Sequence, residues 1–289
     1  MRKLTLIVLL GLLVLTWGNA FVVIKYLLEQ VGLSPMELTA LRYVPSAILS
    51  AAMLLVLFPV PTILAAWRKH WLGIAVYGAT GVLGYNIALN FGEVRIPAGT
   101  ASLIVGFSPV MTLLAANIFL KERITLRKLA GIITAFAGLF VVVRWGAGEP
   151  ISFGYLSAVL ITFGAPASWV AYTVVGKPLV SSADPNLVTL SAIIWGSLPL
   201  AFFLPPSYSH ITANGWLALA FLGVVCTIFG FLVWSWALRF TEAARLGAVV
   251  YLIPLVTIVS GIALLGERLT LGLVLGAAIL IVGVATAEL

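Results

Sequence analysis

Long apolar stretches, separated by short polar connectors, follow one another along the whole chain. Each is close to the length of about 20 residues that a helix needs to cross a hydrocarbon core roughly 30 Å thick. Ten such stretches lie at residues 4–27, 36–57, 71–90, 98–119, 127–145, 151–175, 186–204, 213–236, 244–265 and 270–287. Because lipid offers the peptide backbone no hydrogen-bond partner, these stretches predict ten transmembrane helices.

The composition points to the same kind of protein. Hydrophobic residues make up 62% and charged residues 9% of the 289 positions, whereas soluble domains are nearer half apolar and a quarter charged. The net charge of +7 does not indicate nucleic-acid binding, because the Lys and Arg residues stand singly or in pairs between apolar runs. We therefore expect an all-α integral membrane protein.

The first twenty residues resemble a secretory signal peptide, with two basic residues, an apolar core and small residues near Ala20. The apolar run nevertheless continues to about Leu28, which makes it long enough to cross the membrane, and further spans follow it. We expect this segment to be retained as the first helix.

Basic residues are distributed unevenly between the two sides of the predicted bundle. With the N-terminus inside, eleven of the sixteen Lys and Arg residues fall on the cytoplasmic side, four on the opposite side, and Arg42 within a span. An excess of positive charge is typical of cytoplasmic loops. The distribution predicts that both termini lie in the cytoplasm. We also expect the protein to reside in a bacterial inner (plasma) membrane.

A Glu-Arg-x-Thr-Leu motif occurs twice, and a shift of the chain by 145 residues aligns 98–143 with 243–288 without a gap. The shift superimposes identical residues: Pro109 on Pro254, Thr112 on Thr257, Glu122 on Glu267, Arg123 on Arg268, Gly131 on Gly276 and Gly138 on Gly283. The chain is therefore predicted to consist of two related halves, residues 4–145 and residues 151–288.

Each predicted half contains five spans, an odd number, so the second half enters the membrane from the opposite side. The predicted fold is thus two inverted five-helix repeats, with a substrate site near the midplane and alternating access as the transport mechanism. Thr125 and Thr270 are expected to cap the helices that follow the repeated motif. A gating salt bridge between the Glu and Arg of the motif is the alternative.

Several segments resemble a known family. They are "LTWGNAFVVIK", "SPMELTALRYVPSAIL" and, after a proline, "LKERITLRKLAGIITAFAGLFVVV", and they are similar to the drug/metabolite transporter (DMT) superfamily, EamA type. The resemblance covers nearly the whole chain. It implies ten helices in two EamA units and export of amino acids or related metabolites, and it extends, on general similarity alone, to aromatic amino acid exporters. Lys121 departs from the glycine found in this pattern and at Gly266 in the second copy.

Polar and aromatic side chains inside the spans are candidate substrate ligands, because burying them against lipid costs free energy. The candidates are Trp17, Asn19, Arg42, Tyr85, Asn86, Asn90, Ser102, Ser168, Trp169, Tyr172 and Tyr251. Aromatic rings can stack on a substrate or face its ammonium group. The alternative roles are interhelical hydrogen bonds for the asparagines and membrane-interface anchors for the aromatic residues.

Arg42 lies six residues into its span, about 9 Å deep at 1.5 Å per residue. Its side chain either extends to the outer interface or attracts the carboxylate of a substrate.

Four residues are candidate hinges or gates because proline removes a backbone hydrogen bond and glycine allows close approach. They are Gly106 and Pro109 in the first half and Gly247 and Pro254 in the second. The freed carbonyls could point into a cavity; a packing kink without ligand contact is the alternative.

No Asp or Glu falls near the centre of a predicted span, although proton- and cation-coupled carriers usually have an ionisable group there. We therefore hypothesise facilitated diffusion, with proton coupling as the alternative.

The chemistry of an intramembrane enzyme is missing. His70 and His210 lie in connectors and Cys226 stands alone, so we expect no enzyme activity, no metal site and no cofactor. An ion channel is less favoured, because its filter would need rings of charge or repeated carbonyls, and two repeats give neither. The preferred hypothesis is an exporter of amino acids or similar small metabolites whose partners are its substrate and the bilayer, without nucleic acid or an obligatory protein partner. A drug exporter, a lipid-carrier flippase and a channel are the alternatives.

Overall fold

The computed structural model of the chain describes residues 2–112, 115, 125–146, 152–240 and 252–288. Among these residues all regular structure is helical, and we number its ten segments in chain order. They are α1 (Arg2–Glu29), α2 (Pro35–Leu57), α3 (Val60–Glu93), α4 (Ala98–Thr112), α5 (Leu126–Trp145), α6 (Phe153–Ser182), α7 (Pro185–Phe203), α8 (Ala213–Phe240), α9 (Ile253–Leu265) and α10 (Leu271–Glu288). The predicted all-helical class is confirmed.

Seven of these described helices are long and apolar enough to cross a membrane, and α4, α9 and α10 are shorter apolar helices. Each of the ten overlaps one predicted span. The third span was placed too late in the sequence, because α3 begins at Val60 and not at residue 71. Its backbone leaves helical geometry at His70, with φ −122° and ψ 17°. The basic pair before this kink made the start of α3 look like a connector.

The threonines of the repeated motif cap the helices that follow them. Thr125 Oγ1 accepts a hydrogen bond from the amide of Lys128 at 3.2 Å, and Thr270 Oγ1 accepts one from the amide of Leu273 at 3.0 Å. These bonds satisfy amides that have no partner within their own helix. Both predicted caps are confirmed.

The glutamate of the second motif caps a different helix. Glu267 Oε1 accepts a hydrogen bond from the amide of Ala98 at 2.7 Å, and Oε2 accepts one from the amide of Gly99 at 3.2 Å. A carboxylate is stabilised at a helix N-terminus by the free amides and the helix dipole. Glu267 therefore joins the end of α9 to the start of α4. The equivalent residues of the first copy, Glu122 and Arg123, lie outside the described residues.

Helices α5 and α10 pack closely and run antiparallel. A Cβ added to Gly138 would lie 2.3 Å from Leu280 N, and one added to Gly283 would lie 2.3 Å from Ala135 N. At one end of this pair Thr270 Oγ1 donates to the carbonyl of Gly146 at 2.8 Å. The seven-residue spacing of Gly131 with Gly138, and of Gly276 with Gly283, keeps each pair on one helix face and predicts that they pack helices together. This prediction is confirmed for Gly138, Gly276 and Gly283.

Helices α4 and α9 also run antiparallel. Glu267, just after the end of α9, contacts the start of α4. Further along α4, a Cβ at Gly106 would lie 3.3 Å from Cγ of Pro254, which lies in the first turn of α9. Helix α1 crosses α9, where Thr257 Oγ1 donates to the carbonyl of Gly18 at 2.8 Å. These contacts bring α1, α4 and α9 together at the centre of the bundle.

Two helices widen into π-helical turns at corresponding places. The turn in α3 covers Ala79–Gly84, and the turn in α8 covers Phe221–Phe229. A shift of 145 residues carries 79–84 onto 224–229, inside the second turn. Because a π-turn alters the regular pattern of backbone hydrogen bonds, it often occurs at functional sites.

Candidate functional site

A cavity lies at the centre of the bundle, where α1, α2, α3, α4, α6, α8 and α9 meet; we call it the central chamber. Its described wall is largely aromatic and aliphatic and contains one charged residue, Arg42. The aromatic lining residues are Trp17, Phe21, Tyr43, Tyr85, Trp169 and Phe231. Four predicted ligands thus meet in one place: Trp17, Arg42, Tyr85 and Trp169.

The chamber is narrow in this conformation. Its cavity volume is about 40 Å³, well below the roughly 300–1,000 Å³ of pockets that hold drug-sized ligands. Side chains must therefore move apart before an amino acid can enter.

Arg42 reaches inward from α2 and is 5% exposed. Its Nε donates to Thr227 Oγ1 at 2.9 Å and an Nη donates to Asn86 Oδ1 at 3.0 Å. Its guanidinium carbon also lies 4.9 Å from the centre of the Tyr43 ring. No acidic side chain pairs with it among the described residues. The side chain is thus fixed inside the bundle, which removes the alternative of extension to the membrane interface.

The two partners of Arg42 are hydrogen-bonded to the two π-turns: Thr227 lies in the α8 turn, and Asn86 lies two residues after the α3 turn. Asn86 Nδ2 donates to the carbonyl of Gly81 at 3.0 Å in the α3 turn. Thr227 Oγ1 donates to the carbonyl of Leu222 at 2.9 Å in the α8 turn. One guanidinium therefore joins both widened turns, one from each predicted half of the chain.

Aromatic rings pack tightly at one side of the chamber. The Trp17 ring lies 5.2 Å from Trp169 in an edge-to-face arrangement and 5.7 Å from Trp234, and Trp169 lies 5.0 Å from Trp234. Trp17 Nε1 donates to the carbonyl of Cys226, again in the α8 turn, at 2.9 Å. Tyr172 stacks behind Trp169 at 5.1 Å. Because these rings pack inside the bundle, the interface-anchor alternative is wrong for Trp17 and Trp169.

Four other predicted ligands are absent from the chamber wall. Asn90 Nδ2 donates to Thr39 Oγ1 of α2 at 2.8 Å, which is the interhelical alternative. Asn19 Nδ2 and the Ser102 hydroxyl donate to carbonyls of their own helices, a local bond that short polar side chains often form. The hydroxyl of Ser168 packs against Gly84.

Pro109 interrupts α4 next to the chamber. Proline has no amide hydrogen to donate to the carbonyl of Val105, four residues earlier. The hydroxyl of Ser108 donates to that carbonyl instead, so the predicted free carbonyl is satisfied locally. Pro254 lies in the first turn of α9, where no intrahelical bond is lost. The candidates Gly247 and Tyr251 lie outside the described residues.

Sequence reasoning missed Tyr43 and Phe231, which both line the chamber. Tyr43 follows Arg42 directly and its hydroxyl accepts a hydrogen bond from Asn86 Nδ2 at 2.7 Å. The shift of 145 residues carries Asn86 onto Phe231, so the repeat itself contained the signal for the second residue.

Comparisons with known proteins agree with this architecture. The model of the EamA-like transporter family matches residues 4–144 and 156–287. An "Uncharacterized transporter" of Archaeoglobus fulgidus is 35% identical over 282 residues, covering 96% of both chains. A "Probable terminal-alkyne amino-acid exporter" of Streptantibioticus cattleyicolor is 32% identical, covering 89% of this chain and 84% of its own.

A "Probable amino-acid metabolite efflux pump" of Salmonella typhimurium is 30% identical, covering 93% of this chain and 90% of its own. A solved crystal structure has the same fold, with a TM-score of 0.70 at 19% sequence identity, and covers 98% of this chain and 96% of its own.

Proposed function

The chain belongs to the EamA-like transporter family of the DMT superfamily, and from this premise we propose that it exports amino acids or related small metabolites by alternating access. It is an integral membrane transporter, and its family implies a small-molecule substrate. The observation that carries the proposal is Arg42, a buried cation with no described acidic partner on the wall of an aromatic chamber.

Arg42 suits the carboxylate of an amino acid. A guanidinium has five N–H donors, and two are used by Thr227 and Asn86, which leaves three. A planar guanidinium binds a carboxylate through two parallel hydrogen bonds. Its existing bonds hold it in place, so little side-chain entropy is lost when a substrate binds.

The rings of the chamber suit the rest of an amino acid. Trp17, Tyr85 and Trp169 offer faces and edges that attract an apolar side chain or an ammonium group. Such contacts tolerate substrates of different shape, which agrees with a broad specificity. The names of the Streptantibioticus and Salmonella relatives support amino acids as the substrate class.

The mechanism proposed is the rocking of two inverted halves, residues 4–145 and 151–288. Antiparallel packing of α5 on α10 and of α4 on α9 supports this pairing, as does the correspondence of the π-turns. The proposed hinges are Gly106, Pro109 and Pro254, with Gly247. Opening the ring cluster at Trp17 would expose the chamber to one side of the membrane, and parting α4 from α9 would expose it to the other.

The excess of basic residues in the proposed cytoplasmic connectors supports a plasma-membrane protein with both termini inside. In a plasma membrane, movement of a cytoplasmic metabolite to the outer side is export, which is the direction that we propose.

A counterflow assay in proteoliposomes tests the substrate class. We expect exchange of labelled phenylalanine against a panel of unlabelled amino acids and no exchange against a sugar phosphate. Arg42→Gln should raise the concentration for half-maximal exchange about 10- to 100-fold, since hydrogen bonds to charged groups contribute about 1.5–3 kcal/mol.

Phenethylamine, which lacks the carboxylate, is the matched probe for Arg42. Its inhibition of exchange should be the same in the wild type and in Arg42→Gln. An equal loss for phenylalanine and phenethylamine would show that Arg42 acts only on the fold, and exchange restricted to a quaternary ammonium drug would refute the amino-acid proposal.

A further inference from the structure

Glu93, the last residue of α3, is a buried carboxylate that takes no part in the substrate site proposed above. It is 0% exposed, and neither of its carboxylate oxygens has a hydrogen-bond partner among the described residues. The hypothesis of facilitated diffusion rested on the depth of the acids in their spans. Its position in the sequence places Glu93 at the end of a span, away from the bilayer centre. That position does not show that neighbouring helices bury its side chain.

Among the described residues, no ionisable group near Glu93 forms a hydrogen bond with its carboxylate oxygens. The nearby groups are Lys25 and Glu29 on α1, Arg95 after α3, Tyr155 on α6 and Glu267 after α9, which line one pocket beside it. Lys25 Nζ donates to the main-chain carbonyl of Glu93 at 2.7 Å and pairs with Glu29 at 2.6 Å. The Glu267 carboxylate is engaged by the amides at the start of α4.

A carboxylate in such a place is stable only in its neutral form. Burying an ionised carboxylate without a hydrogen-bond donor costs far more free energy than binding a proton, and the nearby ammonium group of Lys25 is already paired with Glu29. In this packed conformation Glu93 therefore holds a proton. The adjoining pocket has a cavity volume of about 270 Å³, which is ample for the water that would deliver the proton.

We propose that Glu93 is a proton-binding site and that the protein couples export to proton movement through it. The inference rests on the proposed carrier function and replaces facilitated diffusion as its energy source. A hydronium ion in the adjoining pocket gives a proton to the Glu93 carboxylate and becomes water, and the neutral acid allows α3 to pack. When the alternate conformation opens Glu93 to water that is continuous with the cytoplasm, the same proton leaves to that water, so one proton crosses the membrane.

The chain connects this site to the chamber. Leu89 lies four residues before Glu93 on the same face of α3 and lines the chamber, and Tyr85 lies one turn further. On α1, Lys25 follows directly after the chamber residue Ile24. A charge on Glu93 therefore disfavours the packing of the helices that form the chamber wall, so protonation shifts the equilibrium between conformations.

Transport by Glu93→Gln tests the coupling, because glutamine imitates the protonated acid and cannot release a proton. Wild-type proteoliposomes should accumulate phenylalanine several-fold when a pH gradient is imposed. Glu93→Gln should exchange phenylalanine at equal pH but only equilibrate it under the gradient. Glu37→Gln, which changes a partly exposed carboxylate at the start of α2 and keeps a side chain that can bond the Ser34 amide, should keep the accumulation.

Thermal unfolding provides a readout that needs no substrate. A group that is protonated when folded and ionised when unfolded makes stability fall as pH rises. From pH 6 to pH 9 the Tm of the wild type should fall relative to Glu93→Gln by roughly 2–4 °C per pH unit. If the substitution changes the Tm by the same amount at every pH, the difference in pH dependence between the two proteins is unaffected.

The outcomes separate the two proposals. Parallel Tm curves, accumulation in Glu93→Gln equal to the wild type, or accumulation driven by a Na⁺ gradient alone would overturn the proton site. Wild-type exchange with no response to pH would overturn coupling and leave the exporter intact. Absence of exchange for every amino acid would overturn the proposed substrate class, while the Tm comparison would still decide whether Glu93 holds a proton.

Discussion

Burying a guanidinium costs free energy unless hydrogen bonds or an opposite charge compensate for it. Arg42 is compensated by two neutral acceptors, Asn86 and Thr227, and by the face of the Tyr43 ring. These partners fix its position without neutralising its charge. The residue is therefore held ready for an anion.

Residue type and position could predict part of this site. Arg42 and Trp17 were found because a cation and an indole deep in a span are unusual. Asn90 and Ser102 have the same polar character but donate to Thr39 and to the carbonyl of Gly99, away from the chamber wall, which only the three-dimensional neighbours can reveal. Phe231 looks like ordinary apolar sequence, and its position in the chamber depends on how α8 is rotated.

Trp17 should matter more for aromatic substrates than for small ones, because its ring is part of the chamber wall. We expect Trp17→Ala to weaken phenylalanine binding about 10-fold, equivalent to the roughly 0.5–1.5 kcal/mol of an aromatic pair plus lost burial. Alanine as the competing substrate should be affected little. Competition in the counterflow assay measures both.

Trp71→Ala is the control for this prediction, since Trp71 lies on α3 but is 55% exposed on the outside of the bundle. An equal loss of phenylalanine and alanine exchange in Trp17→Ala would indicate a general defect in folding and would contradict a role in ring recognition.

At the scale of helices, hydrophobic length predicted where the elements lie but not how they deviate from regular geometry. Nothing in the apolar pattern of α3 or α8 indicates a π-turn, because adding one residue to a turn leaves the composition unchanged. The start of α3 was missed for a related reason. A search for continuous apolar sequence finds the part of the helix that can cross the membrane, but it does not find the more polar first turns that begin at Val60. The glycine spacing, by contrast, predicted a packing face correctly.

The contact of α5 with α10 should tolerate no side chain at Gly138, because a Cβ there would meet main-chain atoms of α10. We expect Gly138→Ala to destabilise the protein by about 1–3 kcal/mol, the usual cost of overpacking. Thermal unfolding in detergent measures this change.

Gly11→Ala is the matched control, because the Cβ at Gly11 in α1 would have no neighbour within 4 Å. Alanine is the better helix former by about 1 kcal/mol, so this variant should be as stable as the wild type or more so. A Gly138→Ala variant that unfolds at the same temperature as Gly11→Ala would contradict the close packing of α5 and α10.

For the whole molecule, the decisive geometric relation is the direction of equivalent helices. Helix α5 ends where α10 begins, since Thr270 is bonded to the carbonyls of Trp145 and Gly146. The antiparallel relation could be predicted from a count alone, because an odd number of spans in each repeat reverses the second copy. The rotation of each helix about its axis, which decides which side chains line the chamber, could not be predicted from the sequence, because it depends on packing between distant segments.

The proposed inversion predicts that equivalent positions face opposite sides of the membrane. Leu126 and Leu271 are 145 residues apart, begin α5 and α10, and are 86% and 74% exposed. The 20 residues of α5 span about 30 Å at 1.5 Å per residue, so the proposed inversion places the two helix starts on opposite sides of the bilayer. A membrane-impermeant maleimide applied to intact cells should label Leu271→Cys, and Leu126→Cys should react only in inside-out vesicles.

The native thiol makes this experiment clean, because Cys226 is buried and forms a weak bond to the carbonyl of Thr16. Leu15→Cys is the control: Leu15 is 53% exposed in the middle of α1, where lipid rather than water surrounds it, so it should react in neither preparation. Reaction of both helix starts in the same preparation would contradict the inverted repeat. It would also remove the inverted pairing of α4 with α9 and of α5 with α10 on which the proposed rocking movement is based.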